Sequence, residues 1–189
     1  MTAVRPPDCL IRACAPGDEP ALALVGQATF LETFAGVLRG SDISAHCQRA
    51  HHPQVYRTWL QAASLQAGSA CAWLAETAQG AAPVGYLVLA AADLPAVADI
   101  GPDDLEIKRV YLLHRFQRMG LGRRLMDTAR VHARRRGGRR LLLGVYSRNS
   151  EAIAFYRTLG YDTVGTRTFR VGDTDCQDLI LALPLTARA

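Results

Sequence analysis

The stretch Arg115-Phe116-Gln117-Arg118-Met119-Gly120-Leu121-Gly122-Arg123-Arg124 constrains this chain most, because it joins an apolar strand to a helix through a glycine-bearing turn. The strand is expected at Leu105–Leu112. The helix is expected from about Gly120 to Arg136, with Leu121, Leu125, Ala129 and Ala133 recurring on one face. The first N–H groups of a helix have no partners, and they carry the positive end of its dipole, so an anion fits there. Gly120 and Gly122 remove the Cβ atoms that would hold a phosphate off the backbone, while Arg118, Arg123 and Arg124 add charge at the rim. The spacing excludes two nucleotide motifs: no Lys-Ser/Thr pair follows the last glycine, and the third glycine of G-x-G-x-x-G is missing.

The segment Gln117-Arg118-Met119-Gly120-Leu121-Gly122 fits Q/R-x-x-G-x-G/A. Farther on, Asn149-Ser150-Glu151-Ala152-Ile153-Ala154-Phe155-Tyr156-Arg157-Thr158-Leu159-Gly160-Tyr161 fits N-x-x-A-x-x-F-Y-x-x-x-G-F/Y. In these two motifs the chain resembles the GCN5-related N-acetyltransferases, the GNAT family, and the resemblance extends from Leu10 to about Leu183. It implies an α/β (α+β) fold: a mixed, mostly antiparallel sheet of six to seven strands flanked by about four helices, with a splay between the central strands. It further implies acetyl-CoA as acetyl donor and no metal. Gln117, Arg118, Met119, Gly120, Leu121, Gly122 and Arg123 would hold the pyrophosphate. The backbone of Val110, Tyr111 and Leu112 would run along the pantetheine arm, joined by Asn149, Ala152 and Tyr156.

The same resemblance assigns the chemistry. Tyr156 matches the family's general acid, and a phenol, with an ordinary pKa of about 10, is protonated at neutral pH and can donate to a departing thiolate. Glu106 stands where several members carry a base that deprotonates the amine through water; the alternative is an ion-pair partner for Arg109 or another cation. The Val110 N–H would receive the oxyanion, and Asn149 would also cap the following helix. A ping-pong route is disfavoured, since none of the five cysteines sits in an activating pattern.

Composition agrees with one compact unit. At 189 residues and about half apolar, the chain is expected to form a single domain over 8–185 with frayed ends at 1–7 and 186–189. No apolar run reaches a membrane span and no signal peptide is evident, so a cytoplasmic location is expected. The scattered, odd-numbered cysteines indicate neither a disulfide framework nor a zinc site. Twelve of the 22 basic residues lie between Lys108 and Arg140. The densest run, Arg134–Arg140, ends a helix where cations oppose the dipole, and no aromatics interleave it, so nucleic acid is not indicated.

Along the chain, strands are expected at Leu10–Ala13, Ala70–Ala78, Val84–Ala92, Arg140–Tyr146, Thr163–Val171 and Leu179–Leu183, with a turn spanning Gly172–Asp178. Asp18 is read as the cap of a helix over Glu19–Thr33. Ser41–Leu65 is read as a helix-prone lid broken at Pro53. His46, His51 and His52 are read as solvated, and Phe30 with Phe34 as helix packing.

Lys108-Arg109-Val110-Tyr111 after Leu105-Glu106-Ile107, Glu32-Thr33-Phe34, and Phe169–Gly172 with Asp178-Leu179-Ile180 look like the bacterial spermidine/spermine N-acetyltransferase branch. This implies a polyamine acceptor, concentrated by acidic side chains for which Glu32, Asp42, Asp103, Asp173 and Asp175 are the candidates. A protein or peptide acceptor and a non-catalytic acetyl-CoA sensor are the alternatives. Homodimers through edge strands are frequent in the family.

Overall fold

A computed structural model describes residues 8–65 and 70–185; the ends expected to fray lie outside them. The elements follow in the order β1 (Cys9–Ala13), α1 (Glu19–Phe34), α2 (Gly40–Ala50), α3 (Pro53–Leu65), β2 (Cys71–Thr77), β3 (Pro83–Ala91), β4 (Asp104–Leu112), α4 (Leu121–Arg135), β5 (Arg140–Tyr146), α5 (Ser150–Thr158), β6 (Asp162–Val171) and β7 (Thr174–Pro184). The segment read as a lid supplies two of the five α-helices among the described residues because Pro53, which suits a first helical turn and cannot continue α2, restarts the chain as α3. No helix among the described residues is long and apolar enough to cross a membrane.

The strands form one seven-stranded sheet in the order β1-β2-β3-β4-β5-β7-β6. Every neighbouring pair is antiparallel except β4 with β5. On one face α4 and α5 bury Leu121, Leu125, Met126, Ala129, Ala133, Ile153 and Tyr156 against Leu87, Leu89, Ile107, Leu141 and Leu143. On the other, α1 and α3 bury Leu22, Val25, Tyr56 and Leu60 against Leu74, Tyr86 and Val88.

The parallel pair is what opens the sheet. Asp104–Ile107 pair with Arg140–Leu143, but β4 continues to Leu112 and β5 to Tyr146 without pairing again. Arg109 faces Val88 while Ile107 faces Leu89, so Lys108 is an extra residue on β4. Such a bulge bends its strand and increases its twist, and it sits at the point where β4 leaves β5. The expected splay is therefore present.

Below that point the strands are clamped. The fully buried Asp104 carboxylate accepts from Arg139 Nη2 at 2.6 Å, Arg140 Nη2 at 3.0 Å and the Gly101 N–H at 3.0 Å. Burial alone would raise its pKa, but the arginines and the amide outweigh burial and hold it at about 2. Asp104→Ala leaves two guanidinium groups facing a void, and we expect it to cost about 3 kcal/mol, read as a lower urea midpoint at unchanged m-value. Because the folded carboxyl is more acidic than the unfolded one, this contribution is complete above about pH 4 and is lost as pH falls through 2.

Two local expectations change. Asp18 does not cap α1: its carboxylate takes Arg12 at 2.8 Å and the Ala15 N–H, a stronger partnership than a lone amide. The turn before the last strand is only Gly172-Asp173, since Thr174 already pairs with Val171 and Asp175 with Arg170. Gly172 adopts φ +58, which makes so tight a reversal accessible.

Candidate active site

The mouth of the splay is lined by backbone. Leu113 N–H donates to Val84 O, and in an antiparallel ladder alternate residues turn the same way. Arg109 and Tyr111 therefore direct their backbone groups at β3, whereas Val110 and Leu112 direct theirs at the gap. The Leu112 carbonyl takes the Gln117 amide at 3.2 Å, which ties the loop back to the strand end. Tyr111, grouped with Val110 and Leu112 in the sequence reading, thus keeps its backbone inside the sheet and offers a ring.

The cradle follows a one-turn 3₁₀ helix, His114–Phe116. Arg118 at φ +61 and Gly120 at φ +79 are both left-handed, and alternation of this kind turns successive N–H groups into one concavity. The first α4 amide bonded back along the helix is that of Arg124, to Gly120 O, so those of Leu121, Gly122 and Arg123 are free to face an anion. A Cβ on Gly120 would meet nothing within 4 Å, so its glycine serves the backbone angle. Gly122 differs from expectation: its Cβ position lies 3.4 Å from the Phe155 ring, so this glycine lets α5 approach α4. Arg118 crosses to Glu151 at 2.9 Å, and Met119 packs onto the core.

Asn149 accepts the Ala152 N–H at 3.0 Å and so fixes the start of α5. One turn on, Tyr156 is buried between Phe155 and Tyr161, at centroid distances of 5.4 and 5.9 Å. Its hydroxyl bonds to none of the described residues. Burial, seconded by the nearby Tyr111, raises its pKa above the ordinary phenol value. Tyr156 comes from the α4/α5 face and Tyr111, which partners Tyr86, from the α1/α3 face, so two phenols flank the gap.

The α1 side of the gap is charged but neutralised. Glu106 is buried and accepts from Lys108 Nζ at 2.5 Å and from the Asp93 N–H at 3.1 Å, with Arg167 at 4.0 Å. Its cations are thus Lys108 and Arg167, not Arg109. Asp178 pairs with Arg167 at 3.0 Å, and burial raises its pKa despite that pairing. Above lie Phe30, Phe34 and Ile43 of α1 and α2, packed with Val171, Cys176, Phe169 and Tyr146.

Residues 38–161 match the model of the Acetyltransferase (GNAT) family. The chain belongs to this family. Among curated relatives, an uncharacterised N-acetyltransferase in the pepI 3′ region of Lactobacillus delbrueckii subsp. lactis is 35% identical over 97 residues, 51% of this chain and 56% of that protein. The chain thus spans about half the length of the first curated relatives it matches. A probable N-acetyltransferase of Mycobacterium tuberculosis is 26% identical over 88% of this chain and 86% of its own. Among solved structures, the PaiA N-acetyltransferase of Thermoplasma acidophilum in complex with coenzyme A superposes with a TM-score of 0.74 at 19% identity, over 94% of this chain and 99% of that one. The Salmonella typhimurium protein yncA, with its cofactor acetyl-CoA, gives 0.67 at 21% identity over 96% of each. At these identities the superpositions establish the GNAT fold.

In this GNAT chain the largest departure from the sequence reading concerns the histidines. His52 is exposed, but His51 is fully buried and His46 partly so, stacked on Phe30 at 4.1 Å. His51 Nδ1 lies 2.7 Å from Tyr56 Oη and 3.2 Å from Arg109 Nη1, and Tyr56 Oη lies 2.6 Å from Tyr86 Oη. Burial, then the charges of Arg109 and His46, lowers the His51 pKa to about 3, so the ring is neutral. Arg109 also donates to Tyr56 Oη and Ala50 O and lies over the Tyr56 and Trp59 rings, which pins the α2–α3 junction to the sheet. One sequence signal points here: Gly26 inside α1, since a helix-interior glycine costs stability unless something must come close. A Cβ on Gly26 would overlap His51 Nδ1 and Tyr56 Oη.

The carboxylates nominated for a polycation do not assemble. Glu32 accepts the His114 N–H at 3.0 Å and so tethers the cradle. Asp173 and Asp175 are exposed and face Arg170, at 3.7 and 3.9 Å. Asp42 lies against Gly172, and Asp103 gives its carbonyl to the Arg139 N–H. In the arginine run, Arg139 and Arg140 hold Asp104 and Arg134 holds Leu185 O, the roles of a braced helix terminus.

Proposed function

We propose that this chain transfers acetyl from acetyl-CoA directly to a primary amine. The observation that carries the reading is the gap: β4 backbone at Val110 and Leu112 that turns away from β3, an amide cradle at one end, and at its wall a Tyr156 hydroxyl that bonds to none of the described residues. The pantetheine amides would complete the β4 edge and the pyrophosphate would occupy the cradle, contacts that place the thioester between Tyr156 and Tyr111. The amine lone pair attacks the carbonyl carbon while the Val110 N–H receives the developing oxyanion. As the C–S bond breaks, Tyr156 passes its proton to sulfur, and the proton of the new ammonium leaves through water to a carboxylate. Glu106 is that carboxylate in our reading; Asp178 is the second candidate, because burial raises its pKa despite its pairing with Arg167.

A polyamine acceptor is the finer reading that resemblance supports. It draws on Glu106 and Asp178, since Glu32, Asp173 and Asp175 are engaged elsewhere. The deciding experiment is thiol release from acetyl-CoA with polyamines, amino acids, aminoglycosides and short peptides as acceptors. We expect turnover with at least one amine. Acetyl-CoA binding without turnover on any of them would favour a sensor.

A further inference from the structure

We propose that the acceptor of this domain carries, beside its reacting amine, a carboxylate that docks on His51 Nε2 in the field of Arg109. The proposal rests on the acetyl-transfer reading and names the substrate class of the same site.

The hydrogen positions follow from the partners. A guanidinium can only donate, so His51 Nδ1 accepts from Arg109. Tyr86 can then donate to Tyr56, and Tyr56 to His51 Nδ1, with every hydroxyl satisfied. The neutral ring must carry its proton on Nε2. That N–H is buried and has no partner among the described residues. A buried donor left unmade is costly, and such groups are rare unless water, an ion or a ligand completes them. The ring has its Nδ1 edge against Arg109 and Tyr56. The rings of Phe30, His46 and Tyr111 also lie near it, at 5.8, 5.7 and 5.7 Å, and the last of these borders the gap.

Charge selects the ligand. Arg109 forms no ion pair among the described residues, although most of its donors are engaged. The buried carboxylates of Glu106 and Asp178, on the strands beside the gap, are matched by Lys108 and Arg167, which leaves the Arg109 charge in excess there. An incoming polycation would meet that excess, whereas an amine bearing a carboxylate would cancel it and accept the orphan N–H.

The test compares acceptors in matched pairs on the wild-type enzyme: α-amino acids with their amides, and ω-amino acids with alkylamines of equal length. We expect at least one carboxylate-bearing acceptor to exceed its uncharged counterpart in kcat/KM by about tenfold, mainly through KM, the effect of one charge-assisted hydrogen bond. His51→Phe and Arg109→Met should each bring that ratio toward one. Equal rates in every pair, or preference for the plain amine or polyamine, overturn the inference and leave acetyl transfer standing. No turnover with any acceptor overturns both. The wild-type ratio decides the matter even where a variant folds poorly.

Discussion

Tyr156→Phe is expected to lower kcat by about 10²- to 10⁴-fold and to leave the Kd for acetyl-CoA within about threefold. The substitution removes one oxygen. The ring keeps its contacts with Phe155 and Tyr161, and the hydroxyl gives up no hydrogen bond to the described residues, so thermal stability should hold. What is lost is the proton for the departing thiolate, so kcat and kcat/KM should fall together, the pattern of an interaction made in the transition state. The pH profile adds a second reading. Burial raises the phenol's pKa above its usual value of about 10, so the acid form persists across the neutral and mildly alkaline range. The wild-type rate should therefore climb as the acceptor ammonium loses its proton and should not turn down until above about pH 10. A variant that keeps more than about a tenth of kcat with an unchanged profile would assign the proton to water and leave Tyr156 a packing residue.

What could be read from the sequence was local. The cradle and the Asn149 cap each depend on residues within about one helical turn, where spacing fixes geometry, whereas Tyr156 was singled out by its motif. The splay was expected from resemblance; its physical cause, the Lys108 bulge, depends on the Val88 and Leu89 register across the sheet. The acceptor side depends still more on distance in sequence. His51 looked like a solvated residue at a helix break, because nothing nearby in the chain announces Arg109 or Tyr86. Glu106 likewise could be read as base or ion-pair partner, and its neighbours Lys108, Asp93 and Arg167 come from three separate segments. The acidic residues nominated for a polycation were chosen by charge alone, and charge does not say which way a side chain turns. Glu32 turned to a backbone amide that needed a partner.

Gly26→Ala should be the most destabilising single-methyl change on the α1 side, at about 2–4 kcal/mol. Elsewhere in a helix the exchange would help, since alanine lowers the entropy of the unfolded chain. At Gly26 the new methyl overlaps His51 Nδ1 and Tyr56 Oη and comes within 2.9 Å of Tyr86 Oη. These atoms belong to fully buried rings with no room to swing aside. Either α1 lifts from β3 or the chain Tyr86–Tyr56–His51 breaks, and the second outcome strands buried hydroxyls and the Arg109 guanidinium. For a protein of this size, the loss corresponds to a fall in Tm of about 5–15 °C. Gly40→Ala is the matched control: it too sits in a helix, but a methyl there meets nothing within 4 Å, and its Tm should stay level or rise slightly. Acetyl-CoA binding separates the two sides of the sheet. Gly26 lies on the face away from α4 and α5, so the variant should still bind acetyl-CoA where it is folded, while KM for the acceptor rises as His51 loses its fixed orientation. Equal melting temperatures for the two variants would mean that the Tyr–Tyr–His–Arg cluster is loosely held and that α1 can yield without cost.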